Sequence, residues 1–106
     1  MRSIMNTKKG VCYLCLKDGY YPYKNTELHH VFGGSNKGVC DEDGITVYLC
    51  RYHHDQCHNG KKSAEIRFEL HQEGQKVWED FYGLELIADG KKPREEFMKR
   101  YGRNYL

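Results

Sequence analysis

Cys12-x-x-Cys15 and Cys50-x-x-His53 set the strongest constraint on what this chain can fold into. Ligand-x-x-ligand spacing lets one tight turn aim two donors at a tetrahedral ion, and two such pairs complete a structural zinc site with no position open to water. A chain of 106 residues with a mean hydropathy of −0.87 cannot bury a large apolar core by itself. Zinc binding coupled to folding would supply the missing stability. Five cysteines is an odd number, and with no apolar run of signal-peptide length after Met1 the paired spacing favours metal over disulfides. Cys40 and Cys57 are then left over, and Cys40 is expected to have no function. No stretch approaches the roughly 20 apolar residues of a membrane span, so the expected setting is the cytoplasm, away from membranes.

With the quartet Cys12, Cys15, Cys50 and His53 assigned to structural zinc, four other imidazoles remain in the same part of the chain: His29, His30, His54 and His58. Neighbouring residues of a strand point to opposite faces, so His29 and His30 cannot share one role: one would bind metal and the other face water. Imidazole titrates near neutrality, which suits His30 to accepting a proton at working pH. His54 and His58, four positions apart, fall on one face of a helix that runs through both, and with His29 they make three ligands to a second ion with open positions. Asn59-Gly60 is a helix-stop signal directly after His58. Were the helix to break earlier, Cys57 would compete as a ligand and His53 and His54 would be free to exchange sites.

Along the chain, Gly10 to Cys15 reads as a short strand entering a knuckle turn, and Tyr20-Tyr21-Pro22-Tyr23 as an extended loop. Leu28 to Phe32 is a strand candidate closed by a Gly33–Asn36 loop. The β-branched and aromatic run Gly44 to Leu49 is the clearest strand, preceded by an Asp41-Glu42-Asp43 turn. From Arg51 the pattern is helical. Between Ala64 and Tyr82, Ile66, Leu70, Val77 and Phe81 follow one helix face. Gly74 is expected to interrupt that helix and Gly83 to end it. The stripe Phe68, Trp78 and Phe81 reads as core, and His71 as an ordinary polar-face or hydrogen-bonded residue. Gly90-Lys91-Lys92-Pro93 links to a short amphipathic segment, Arg94 to Tyr101. This predicts an α+β chain with one domain over 1–106: a metal-bearing core at 11–60, a long helix at 61–83, and a linker with a basic C-terminal segment at 84–106. The net charge of +2 is too small to argue for nucleic acid. The clusters Lys8-Lys9, Lys61-Lys62, Lys91-Lys92 and Arg94 through Arg103 together permit a phosphate-binding face without requiring one.

The elements Cys12-x-x-Cys15, Leu28-His29-His30-Val31-Phe32-Gly33-Gly34 and Leu49-Cys50-Arg51-Tyr52-His53-His54, in that order, resemble the HNH, or His-Me finger, endonucleases, in particular the small proteins of bacteriophages and prophages. The resemblance covers roughly residues 11 to 60. It implies a small ββα-metal fold with zinc knuckles, followed by a long helix and a short C-terminal helix. It makes His30 the general base, His29 and His54 metal ligands and His58 the third ligand, with Mg²⁺ or a similar divalent cation as cofactor. Cys12, Cys15, Cys50 and His53 would hold structural zinc. The implied activity is cleavage of DNA with weak or no sequence preference, giving 5′-phosphate products. The implied partners are DNA and phage replication, recombination or packaging proteins. The chain departs from the family at Ile45, which stands where the family's middle Asn orients the base. A rival expectation follows from that departure: a noncatalytic, zinc-stapled module that binds DNA or protein on the same scaffold.

Overall fold

The computed structural model describes all 106 residues. Two antiparallel strands and five helices follow in the order α1 (Tyr13–Asp18), β1 (Thr26–His30), α2 (Lys37–Asp43), β2 (Thr46–Cys50), α3 (Arg51–Asn59), α4 (Ser63–Ala88) and α5 (Pro93–Tyr101). The α+β expectation holds. No helix is long and apolar enough to cross a membrane.

The strands pair from Thr26 opposite Cys50 to His30 opposite Thr46, which places His29 beside Val47. Ile45, Val47 and Leu49 are fully buried and form the inner face of the sheet with His29. The alternation that put the β-branched residues of β2 inside thus also carried His29 inward and His30 to the other face. The expected strand at Leu28–Phe32 begins and ends two residues earlier, because the chain leaves the ladder after His30 to enter a 3-10 turn at Gly34–Asn36. Where a loop was expected at Gly33–Asn36 there is that turn, and it leads straight into α2.

Four further expectations are corrected. The segment before Cys12 forms only isolated bridges, Lys8 with Val11 and Val11 with Tyr23, and the knuckle turn is the first turn of α1. Asp41-Glu42-Asp43 is the last turn of α2, closed by Gly44 at φ +76°. A Cβ at Gly44 would lie 2.6 Å from the Arg2 carbonyl oxygen, so both the backbone and the space demand glycine. Neither Gly74 nor Gly83 interrupts α4, which continues to Ala88. Burial supplies the reason: at Gly74 the helix rests directly on the sheet, and a Cβ there would meet Val31 Cγ1 at 2.9 Å and Ile45 Cγ2 at 3.1 Å. The lost helix propensity, about 1 kcal/mol, is the cost of that close approach.

The aromatic stripe is core only at Trp78, which is 5% exposed, whereas Phe68 and Phe81 are 45% and 55% exposed. A helix of 26 residues runs roughly 39 Å, while the rest of the chain covers only one side of it. Leu70, Trp78 and Phe97 fill that covered side.

Asp43 joins the two halves. Its buried carboxylate accepts from Trp78 Nε1 at 2.8 Å, Tyr101 Oη at 2.8 Å and the Arg100 guanidinium at 2.6 and 2.7 Å, and its carbonyl accepts from Tyr82 Oη at 2.8 Å. A buried carboxylate is tolerable only when so fully satisfied.

The two helix glycines should separate in a stability measurement. Gly74→Ala forces stiff, branched Val31 and Ile45 side chains apart and should lower unfolding free energy by about 1–2 kcal/mol despite the gain in propensity. At Gly83 a Cβ would sit 3.5 Å from Pro93 Cγ, an ordinary contact, so Gly83→Ala should be neutral or stabilising by up to about 1 kcal/mol. Urea unfolding of the two variants beside the parent checks both.

Candidate metal centres

Both ligand pairs sit at helix N-termini. Cys12 caps α1, where its Sγ accepts from the Cys15 N–H at 3.4 Å, and Cys50 ends β2 and caps α3. Free N–H groups and the positive end of the helix dipole favour a thiolate at such positions. His53 Nδ1 lies 3.5 Å from Cys12 Sγ, 3.4 Å from Cys15 Sγ and 3.5 Å from Cys50 Sγ, and Cys15 and Cys50 sulfurs are 3.8 Å apart. Metal bonds of about 2.3 Å to sulfur and about 2.0–2.1 Å to nitrogen give tetrahedral edges of about 3.8 Å for S···S and about 3.6 Å for S···N. The four donors already have the shape of a zinc site, and all four residues are buried.

Electrostatics favour a cation there. Burial, opposed by Lys24, pushes the Cys15 thiol up to about 11, with the Cys12 and Cys50 sulfurs adding to the rise. Cys12 is raised by burial too, but hydrogen bonds from Cys50 and Cys15 outweigh it and leave this thiol below its ordinary value. One sulfur therefore holds negative charge readily and its neighbour resists. A divalent ion removes that conflict. Burial also lowers His53, which keeps its ring in the neutral, ligating form.

The second group is His29, His54 and His58, whose ligating nitrogens lie within 4.8 Å of one another. Their ring centroids are 5.1 to 5.8 Å apart. Helix α3 extends to Asn59, so His54 and His58 do share a face; Asn59-Gly60 stops the helix only after both ligands are placed. His53 and His54 do not exchange: one hundred degrees of helix rotation sends them to different clusters. Cys57 joins neither group. It is fully buried, and burial pushes its thiol up to about 11. Cys40 is likewise buried, hydrogen-bonded to the Phe32 backbone.

Burial, with His54 and His58 adding, holds His29 down at about 4. It therefore presents a lone pair at neutral pH. His54 Nδ1 lies 2.9 Å from Glu27 Oε2, which leaves Nε2 for an ion; carboxylates in this position orient metal-binding imidazoles. The three donors are all nitrogen. Such a set suits a Zn²⁺- or Mn²⁺-like ion better than Mg²⁺, which prefers oxygen and retains its water. His30 is not among them: on the opposite face of β1, its Nε2 lies 2.6 Å from Asp41 Oδ1. His71 stacks on Phe32, as an ordinary packed residue does.

A concavity of about 900 Å³ opens beside the zinc quartet between Tyr52, Gln56 and Lys61. Tyr52 and Gln56 are on the side of α3 turned away from His54 and His58. The imidazole cluster lies instead at an open surface, with His58 exposed, a shape suited to a polymer rather than an enclosed small molecule. Much of the C-terminal basic cluster is already neutralised: Arg94 pairs with Glu79, Lys99 with Glu96, and Arg100 with Glu42 and Asp43. Lys8, Lys9, Lys61 and Lys62 have no ion pair and stay available to phosphate.

Glu27, Lys24, Asp41 and Asp43 escaped the sequence reading. Strand alternation places Glu27 on the face of His29, a usable signal. Lys24 and Asp41 carry none, because their partners Cys15 and His30 lie outside any fixed local spacing. The chain matches no protein-family model, no curated protein and no solved structure.

Lys24 Nζ donates to Cys15 Sγ at 3.1 Å. Three thiolates and one Zn²⁺ leave a net negative charge, which this ammonium offsets. Lys24→Met should speed zinc transfer to a chromophoric chelator about 10-fold and Lys24→Arg should not, as followed by absorbance.

The His29 shift also has a pH signature. Its folded value lies below the ordinary 6.5, so the unfolded chain binds the proton first, and stability present above pH 6.5 is lost as pH falls toward 4. In protein stripped of the imidazole-held ion but retaining the thiolate-held zinc, His29→Gln should lessen the loss of stability between pH 7.5 and 5.5, measured by urea unfolding.

Proposed function

We propose that this protein is a metal-dependent DNA endonuclease of the HNH, or His-Me finger, type. The observation that carries the reading is the convergence of His29 from β1 with His54 and His58 from α3, apart from the thiolate quartet, with His30 on the same strand. Strand pair and following helix then correspond to a ββα-metal unit, and the quartet is its structural zinc.

In this reading His29, His54 and His58 hold a divalent cation. When bound, the cation neutralises charge on the scissile phosphate and on the departing oxygen. His30 takes a proton from water, which attacks phosphorus in line with the 3′ oxygen; that oxygen leaves and the 5′ side keeps the phosphate. Neutral His29 stays in ligating form across the working range, and Glu27 fixes the His54 ring. Unpaired lysines at 8, 9, 61 and 62 would contact the DNA backbone without reading its sequence.

Ile45 favours the second reading. It is fully buried where the family has Asn, as would suit a scaffold that has become a zinc-stapled binding module, with DNA or a phage replication, recombination or packaging protein as its partner.

Supercoiled plasmid incubated with a series of Mg²⁺, Mn²⁺, Co²⁺, Ni²⁺ and Zn²⁺ decides between them. The nuclease reading expects two ions per chain, one removed by mild chelation, and cleavage that His30→Ala reduces at least about 100-fold with metal content unchanged. Full activity in His30→Ala would remove this residue from the chemistry. A single tight zinc and intact plasmid under every ion would favour the binding module.

A further inference from the structure

His30 stands one residue beyond a metal-binding imidazole, on the opposite face of its strand, and its ring is held by a single side chain. Asp41 Oδ1 is 2.6 Å from His30 Nε2. A carboxylate accepts but cannot donate, so the neutral ring must present its proton at Nε2, and Nδ1 is left as the bare lone pair. The His30 side chain is only 15% exposed, against 58% for that of Asp41.

The position of Asp41 is itself determined. Immediately before it, Cys40 Sγ lies 3.3 Å from both the Phe32 nitrogen and the Phe32 oxygen, and the Cys40 carbonyl accepts from Gly44 and Ile45. The Asp41 carbonyl accepts from the amino terminus at 3.0 Å. Two residues on, Asp43 is gripped by Trp78, Arg100 and Tyr101. Helix α2 is thus pinned to Phe32, two residues beyond the strand that carries His30, and to both C-terminal helices, and Asp41 projects from it at a fixed place.

We propose that Asp41 is the positioning residue of His30, holding the ring by Nε2 and leaving Nδ1 as the lone pair that accepts the proton. This rests on the reading of His30 as the base. The job of orienting that base has moved from the β2 end, where Ile45 now packs in the core, to α2. Helix α5, through Arg100 and Tyr101, keeps α2 in place for that job.

Two measurements test this, and one of them needs no catalysis. Long-range ¹H–¹⁵N spectra at pH 8, where an ordinary imidazole is neutral, should show His30 as the Nε2–H tautomer in the parent and as a mixture in Asp41→Ala. Steady-state cleavage of an oligonucleotide duplex should show kcat lowered about 100-fold in Asp41→Ala with KM unchanged. Asp41→Asn retains an acceptor and should recover most of that loss. Zinc content and thermal unfolding should match the parent in both variants, since Asp41 is exposed. An Nδ1–H tautomer in the parent, or an Asp41→Ala protein with parental tautomer and kcat, would overturn the proposal. Should the parent cleave nothing while its His30 is the Nε2–H tautomer in an Asp41-dependent way, the hydrolytic reading falls and the orienting pair stands.

Discussion

Three sulfurs and one imidazole nitrogen gathered at two helix N-termini are the meeting point of the first half of this protein. The interaction is long-range: it joins the start of α1 to the junction of β2 and α3. Without a cation, the Cys15 sulfur would resist ionisation, its thiol raised by burial. With Zn²⁺ in place, the same proximity becomes a staple that a small chain's apolar core could not match. The staple also fixes the entry of α3. Once Cys50 and His53 are committed to it, helical rotation leaves His54 and His58 no choice but the opposite cluster.

The second constraint is the pairing register of β1 and β2. One-residue slippage would swing His29 outward and His30 inward, so which imidazole meets His54 and His58 depends on Val47 and Ile45 being buried. Gly74 reinforces this from behind, bringing α4 onto Val31 and Ile45. The C-terminal half, far from both donor clusters in sequence, acts on the same region through Asp43. A buried carboxylate satisfied by Trp78, Arg100 and Tyr101 holds α2 in place and thereby places Asp41. Core packing and candidate chemistry therefore share one support.

Groupings that arise from fixed spacing were legible in advance. The zinc quartet follows from two i, i+3 pairs; His54 with His58 follows from i, i+4 on a helix; the opposition of His29 and His30 follows from strand alternation. Local helix signals were less informative. Gly74 reads as a breaker by propensity, yet tertiary contact with the sheet makes it the residue that lets α4 pass. Phe68 and Phe81 read as core by periodicity, but a long helix covered on one side leaves them exposed. The charged run Asp41-Glu42-Asp43 reads as a turn because acidic residues favour turns, while capture of Asp43 by three side chains keeps it helical and buried.

What the linear order determined by itself was the set of donors and their grouping, because covalent spacing along a strand or helix fixes direction without help from the remainder of the chain. What only tertiary structure decided was which carboxylates and cations attend those donors: Lys24 on Cys15, Glu27 on His54, Asp41 on His30, Asp43 on the C-terminal helices. Each pairing joins positions with no periodic relation. Charges meet there because packed elements bring them within a few ångströms, and sequence distance carries no record of that.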